Sequence, residues 1–108
     1  MTTYLIQASY TAQGVTGLIQ SPEDRSGMVR SLVEGLGGTL ESFYYAFGDH
    51  DVVEIVELPD NVSMAAFSMS LGASGAVTNV KTTVLIPVSE GVEAARKAGS
   101  IGYLPPGS

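Results

Sequence analysis

Apolar and polar positions alternate along the first stretch of the chain. From Tyr4 to Tyr10, Leu5, Gln7 and Ser9 share one parity, and Tyr4, Ile6, Ala8 and Tyr10 share the other. A period of two predicts a first strand over Tyr4–Tyr10. Thr11 to Gln20 reads two ways: Gly14 and Gly17 weaken a helix, whereas Val15, Leu18 and Ile19 suit a short one. Ser21-Pro22-Glu23-Asp24 predicts a helix start, with Ser21 as cap, Pro22 in the first turn and two acids at the positive end of the dipole. Met28, Val29, Leu32, Val33 and Leu36 follow at helical spacing, and Gly37-Gly38 stops the run.

Thr39–Phe47 reads as a second strand and Asp51–Leu58 as a third, joined by Gly48-Asp49-His50-Asp51. Asp60 or Asn61 caps a second helix carrying Met64, Phe67 and Leu71, which ends at Gly72 and Gly75. Val77–Ile86 is the fourth strand. Ser89 caps a short helix from Glu90 to Ala98, and Ser100–Ser108 is an extended tail. The resulting β-α-β-β-α-β order, plus a C-terminal helix, predicts an α+β ferredoxin-like domain over residues 1–99. Its antiparallel sheet should run 4-1-3-2, with helices on one face.

The third strand is apolar on both parities: Val53 and Ile55 on one, Val52, Val56 and Leu58 on the other. Such a strand is buried on both faces. One chain has no layer left for the second face, so a second copy or a ligand is expected there. Assigning Val53 and Ile55 to the helix side, with Ile6, Ala8, Val80 and Val84, puts Glu54 on the uncovered face. Gln7, Ser9, Asn79, Lys81 and Thr83 would join it, with Ser42 and Tyr44 or else Glu41 and Tyr45. Apolar walls with a few polar groups are the composition of a ligand cavity between sheet faces.

Composition narrows the partners. The 108 residues carry a net charge of -6, with only five basic side chains and no basic stripe, which argues against nucleic acid and anionic membrane surfaces. The absence of cysteine removes disulfides and thiolate ligands. No N-terminal leader pattern and no apolar run of membrane-spanning length are present, so a cytoplasmic protein is expected.

Candidate chemistry gathers in and after the hairpin turn. Glu54, a carboxylate inside an apolar strand, is a candidate base, because desolvation raises its pKa. His50, the single histidine, and Asp51 are further acid-base candidates. Tyr10, Tyr44, Tyr45, Gln7 and Lys81 are candidate ligand-binding residues. No metal site and no cofactor are expected: a lone histidine flanked by adjacent acids does not converge on an ion. Haem or metal binding through His50 is a third and lesser reading.

The segment Phe43-Tyr44-Tyr45-Ala46-Phe47-Gly48-Asp49-His50-Asp51-Val52-Val53 resembles the signature of the GYD domain family. The resemblance extends to Tyr10-Thr11-Ala12-Gln13-Gly14, Leu36-Gly37-Gly38 and Ser74-Gly75-Ala76-Val77, and covers roughly residues 3 to 88. His50 departs from it, standing where the family carries tyrosine. The resemblance implies a ferredoxin-like subunit of a dimeric α/β barrel and no settled activity. Two functions are therefore expected to compete: binding or transforming a small organic metabolite, and non-catalytic ligand binding or assembly as a homo-oligomer.

Overall fold

Two antiparallel ladders set out from the first strand, and their registers decide which side chains meet. The computed structural model describes residues 1–108. Its elements run β1 (Thr2–Tyr10), α1 (Ala12–Gln20), α2 (Ser26–Gly35), β2 (Thr39–Tyr45), β3 (Val52–Leu58), α3 (Asn61–Ala73), β4 (Val77–Leu85) and α4 (Val88–Ile101). The sheet order is β2-β3-β1-β4, all antiparallel, which is the ferredoxin-like topology expected from the sequence.

Several local expectations need correction. Thr11–Gln20 does contain a helix: the Thr11 hydroxyl accepts from the Gly14 N–H at 3.1 Å and caps α1. The next helix begins at Ser26 rather than at Ser21-Pro22. There the Asp24 carboxylate accepts from the Ser26 N–H and hydroxyl, at 2.9 and 2.6 Å, and so organises the turn into α2. β2 ends at Tyr45, because Ala46 donates to the Asp51 carbonyl and closes the hairpin. Asp60 caps α3 as expected, accepting from the Ser63 N–H at 2.8 Å. α4 runs from Val88 to Ile101, longer than the expected Glu90–Ala98.

The larger correction concerns the faces of the sheet. Cα partners across a ladder point the same way. Ile6 pairs with Glu54, Tyr4 with Val56 and Ala8 with Val52, and all six are buried. Glu54 therefore faces the helices, and Val53 and Ile55 face away. The parity holding Val52, Val56 and Leu58 offers three apolar residues to the core. The other offers two and ends on Glu57. The open face carries Leu5, Gln7, Val53, Ile55, Lys81 and Leu85, none of them buried.

Two bulges complete the pattern. One, between Leu40 and Ser42, lets Leu40 and Phe43 both face the helices. The other lies in β4, where Asn79 adopts φ 54, and it turns Val77 and Val80 to that same side.

The core fills one end of the helix-covered face. Tyr4, Ile6, Val33, Leu40, Val56, Leu58, Met64 and Phe67 pack together there. The Tyr4 hydroxyl donates to Asn61 Oδ1 at 2.7 Å, so this buried phenol ties β1 to the start of α3. Gly38 sits hard against β3: a Cβ there would lie 2.1 Å from the Glu57 carbonyl oxygen. At the other end Ala8 replaces a large side chain, and the layer is hollow.

α4 buries no residue. The radius of gyration is 17.4 Å, against about 13 Å for a compact chain of this length, because α4 projects from the sheet. The accessible surface is 7147 Å², where a folded monomer of this mass exposes about 5,700 Å². No helix is long and apolar enough to cross a membrane.

Candidate functional site

The hollow end is a cavity of about 400 Å³ between the sheet and helices α1, α2 and α3. Ala8 and Val52 form its floor, with Phe43 and Val77 beside them. Leu18 comes from α1, Met28, Val29 and Leu32 from α2, and Leu71 from α3. Glu23 and Arg25, in the loop between α1 and α2, also line it.

Glu54 is the polar group set into this apolar wall. It is 4% exposed, and its Oε1 is fully buried with no hydrogen-bond partner. Burial pushes its pKa up from 4.5 to about 7. A carboxyl in that state exchanges its proton near neutrality. Leaving such an atom unpaired costs about 1–3 kcal/mol, which the surrounding core must offset.

Tyr10 is the second polar group on the floor. Burial, followed by the neighbouring Tyr45, pushes its pKa up to about 12, so it stays a hydrogen-bond donor. The rings of Tyr10 and Tyr45 lie 6.3 Å apart, and those of Phe43 and Tyr45 lie 5.6 Å apart, edge to face. Tyr10, Tyr45 and Asp51 also line a second, more open depression beside the cavity.

Arg25 is the one cation at the cavity. Its Nη1 lies 3.1 Å from Glu23 Oε1, and its Nη2 donates to Met28 Sδ at 2.9 Å. The pair is partly exposed and contributes little stability.

The other candidate residues fall elsewhere. Gln7, Lys81 and Tyr44 lie on the open face, in one row across the sheet: Gln7 pairs with both Val53 and Lys81, and Tyr44 pairs with Val53. They do not meet Glu54, because the sheet separates them. Asp51 holds the frame: its Oδ2 accepts from the Tyr10 N–H at 2.8 Å, and its own N–H donates to the Ala8 carbonyl at 2.9 Å. His50 lines neither depression. No three His, Cys, Asp or Glu side chains converge as metal ligands.

Sequence reasoning missed Phe43, Glu23, Arg25 and the apolar face of α2 as parts of the site. The helical spacing of Met28, Val29 and Leu32 was visible, yet it reads equally as solid core.

Two of the short motifs singled out in the sequence meet at the rim of this cavity. The Thr11 N–H donates to the Ala76 carbonyl at 3.0 Å, and its hydroxyl donates to the Gly75 carbonyl at 2.6 Å. Gly14 packs so closely that a Cβ would lie 2.2 Å from the Ala76 oxygen. The pairing docks α1 over the end of β4 and closes that wall.

The fold has solved counterparts. The crystal structure of FFRP-DM1 superposes with a TM-score of 0.50 at 16% identity, over 80% of this chain and 100% of that one. The hypothetical protein PHS023 from Pyrococcus horikoshii superposes with a TM-score of 0.51 at 15% identity, over 81% of this chain and 92% of that one. At such identities the likeness concerns the fold alone. No curated protein matches the sequence significantly. The GYD domain family model matches residues 4–95, which include the cavity floor and every residue discussed above as lining it. The chain belongs to the GYD domain family.

Proposed function

We propose that this protein binds a small organic molecule in the cavity between the sheet and α1–α3, with Glu54 as the group that exchanges a proton with it. The expected site between sheet faces moves to the helix side in this reading, because Glu54 and Tyr10 are there. The observation that carries it is the unpartnered, fully buried Oε1 of Glu54 at a cavity of about 400 Å³. Buried polar atoms are normally satisfied, and a carboxyl left with an unsatisfied oxygen in the wall of a ligand-sized space marks a place for a partner. A carboxyl with a pKa of about 7 is suited to general acid-base work on whatever the cavity holds.

Nuclear magnetic resonance with methyl-labelled protein tests the reading. Fragments added to the wild type should shift the methyl signals of Met28, Leu32 and Leu71 before those of Val62 or Val88, which lie outside the cavity. A fragment library that leaves the Met28 and Leu32 methyls unmoved would overturn it.

The second element of the proposal is a homodimer formed through the open face of the sheet. Leu5, Val53, Ile55 and Leu85 leave that face apolar at its centre. A standard interface buries about 800 Å² per partner, which is less than the surface this chain exposes beyond a compact monomer. A cytoplasmic location belongs to the same proposal.

A further inference from the structure

The proposed cavity has a chemical bias that narrows its ligand. Every ionisable group facing Glu54 is accounted for by element. β1 supplies Tyr10. The loop before α2 supplies Glu23 and Arg25. β2 supplies Phe43, the cross-strand partner of Glu54, and no charge. α1 supplies Gln13 and no ionisable side chain, α3 and its C-cap supply only the hydroxyls of Ser70 and Ser74, and β4 supplies only Val77. Arg25 is the single cation, and it is taken by Glu23 at 3.1 Å. The one guanidinium is thus paired with Glu23, and the deeper carboxyl, Glu54, has no cationic partner.

The aromatic groups add to the bias. Phe43 and Tyr10 line the cavity together with Glu54, and Tyr45 packs between them at its edge. Ring faces carry negative potential and attract an ammonium, the more so out of water. The net charge of -6 draws cations toward the molecule. Leu18, Val29, Leu32 and Leu71 then offer an apolar wall for the rest of the ligand.

We propose that the cavity takes a primary or secondary amine on an apolar body, its ammonium seated against the Glu54 carboxylate and the Phe43 and Tyr10 rings. The proposal rests on the reading that the cavity binds a small molecule, and adds its chemical class. A neutral carbonyl compound also has a way to satisfy Glu54, by accepting from its protonated form, but it makes no use of the ring faces or the surplus negative charge. The two classes respond to pH in opposite senses. An ammonium requires ionised Glu54 and binds more tightly as pH rises. A carbonyl acceptor requires the protonated acid and binds more weakly.

The test is calorimetric titration of the wild-type protein with 2-phenylethylamine, 2-phenylethanol and acetophenone at pH 6 and pH 8. Phenylethylamine should bind more tightly than either neutral probe. Its affinity should rise about tenfold between the two pH values, with release of close to one proton at pH 6 and almost none at pH 8, as read from buffers of different ionisation enthalpy. Glu54→Gln should abolish both the preference and the pH dependence. The wild-type pH comparison decides the matter even if that variant fails to fold. Binding of phenylethanol or acetophenone in preference to the amine, or an amine affinity that falls with pH, would overturn the ligand class and leave the cavity reading standing. Binding of none of the three at either pH, with unmoved Met28 and Leu32 methyls, would overturn both.

Discussion

Glu54 stands directly across the β1–β3 ladder from Ile6, a residue with no exposed surface. The pairing puts an ionisable side chain on the face of the sheet that the helices cover. Its Oε1 meets no partner there, and its pKa rises to about 7.

Between pH 5 and pH 8 stability should therefore depend on pH through this residue. The folded pKa lies above the unfolded value of 4.5, so the native state binds the extra proton between about pH 4.5 and 7. The contribution of Glu54 is fully present below the unfolded value and is lost as pH rises through the folded one, by at most about 3 kcal/mol at 1.36 kcal/mol per unit. Urea melts at pH 5 and pH 8 should show this loss in the wild type. The Glu54→Gln variant should lose less, and Glu54→Leu should exceed the wild type at pH 8 by about 1–2 kcal/mol, since an unpaired buried acceptor is gone. Equal pH dependence in all three would contradict the burial of Glu54.

Asp51 should matter for stability through its bond to the backbone of Tyr10. Asp51→Ala leaves that N–H unpaired and should cost about 1.5–3 kcal/mol, the range for a hydrogen bond to a charged group. Asp51→Asn keeps an acceptor and should recover about half. Thermal denaturation of the two variants measures the difference, and an alanine variant as stable as the wild type would remove Asp51 from its framing role.

Gly14→Ala should be costly, because the new Cβ would meet the Ala76 carbonyl at 2.2 Å, and backbone must move to relieve it. A loss of about 1–3 kcal/mol is expected, as for overpacking elsewhere. Gly17→Ala, with open space around its Cβ, serves as the control and should be neutral or stabilising, because alanine favours a helix. Comparable losses in the two would refute the close approach of α1 to β4.

Ile55→Lys puts a charge at the centre of the open face, opposite Leu5. Sedimentation should show the wild type as a dimer and this variant as a monomer that keeps its helical and strand signal. A wild type that sediments as a monomer would remove the dimer from the proposed function without touching the cavity.

Truncation after Pro87 should remove α4 with little effect on the domain. The helix buries no residue, so the unfolding free energy of the isolated chain should change by no more than about 0.5 kcal/mol. Chemical denaturation of the truncated chain checks this, and a larger loss would show that α4 packs on something.

The sequence by itself determined the order of the strands, the two-faced apolar character of β3, the Asp60 cap and the family. These follow from local periodicity, turn chemistry and short motifs, which neighbouring residues carry among themselves. It also singled out Glu54 as a carboxylate within an apolar strand and Tyr10 as a candidate ligand-binding residue. Which way they point was decided only by the tertiary structure. Both parities of β3 are apolar enough to serve as a core face, so the parity is settled by pairing with β1 and by the helices that need three apolar partners rather than two. The bulges at Glu41 and Asn79 then reverse the alternation within β2 and β4. A bulge leaves only a weak local trace, because it exists to fit one strand to another. The cavity has the same origin. Ala8 reads as an ordinary small strand residue until α1, held by Thr11 and Gly14 against Ala76, leaves the space above it unfilled.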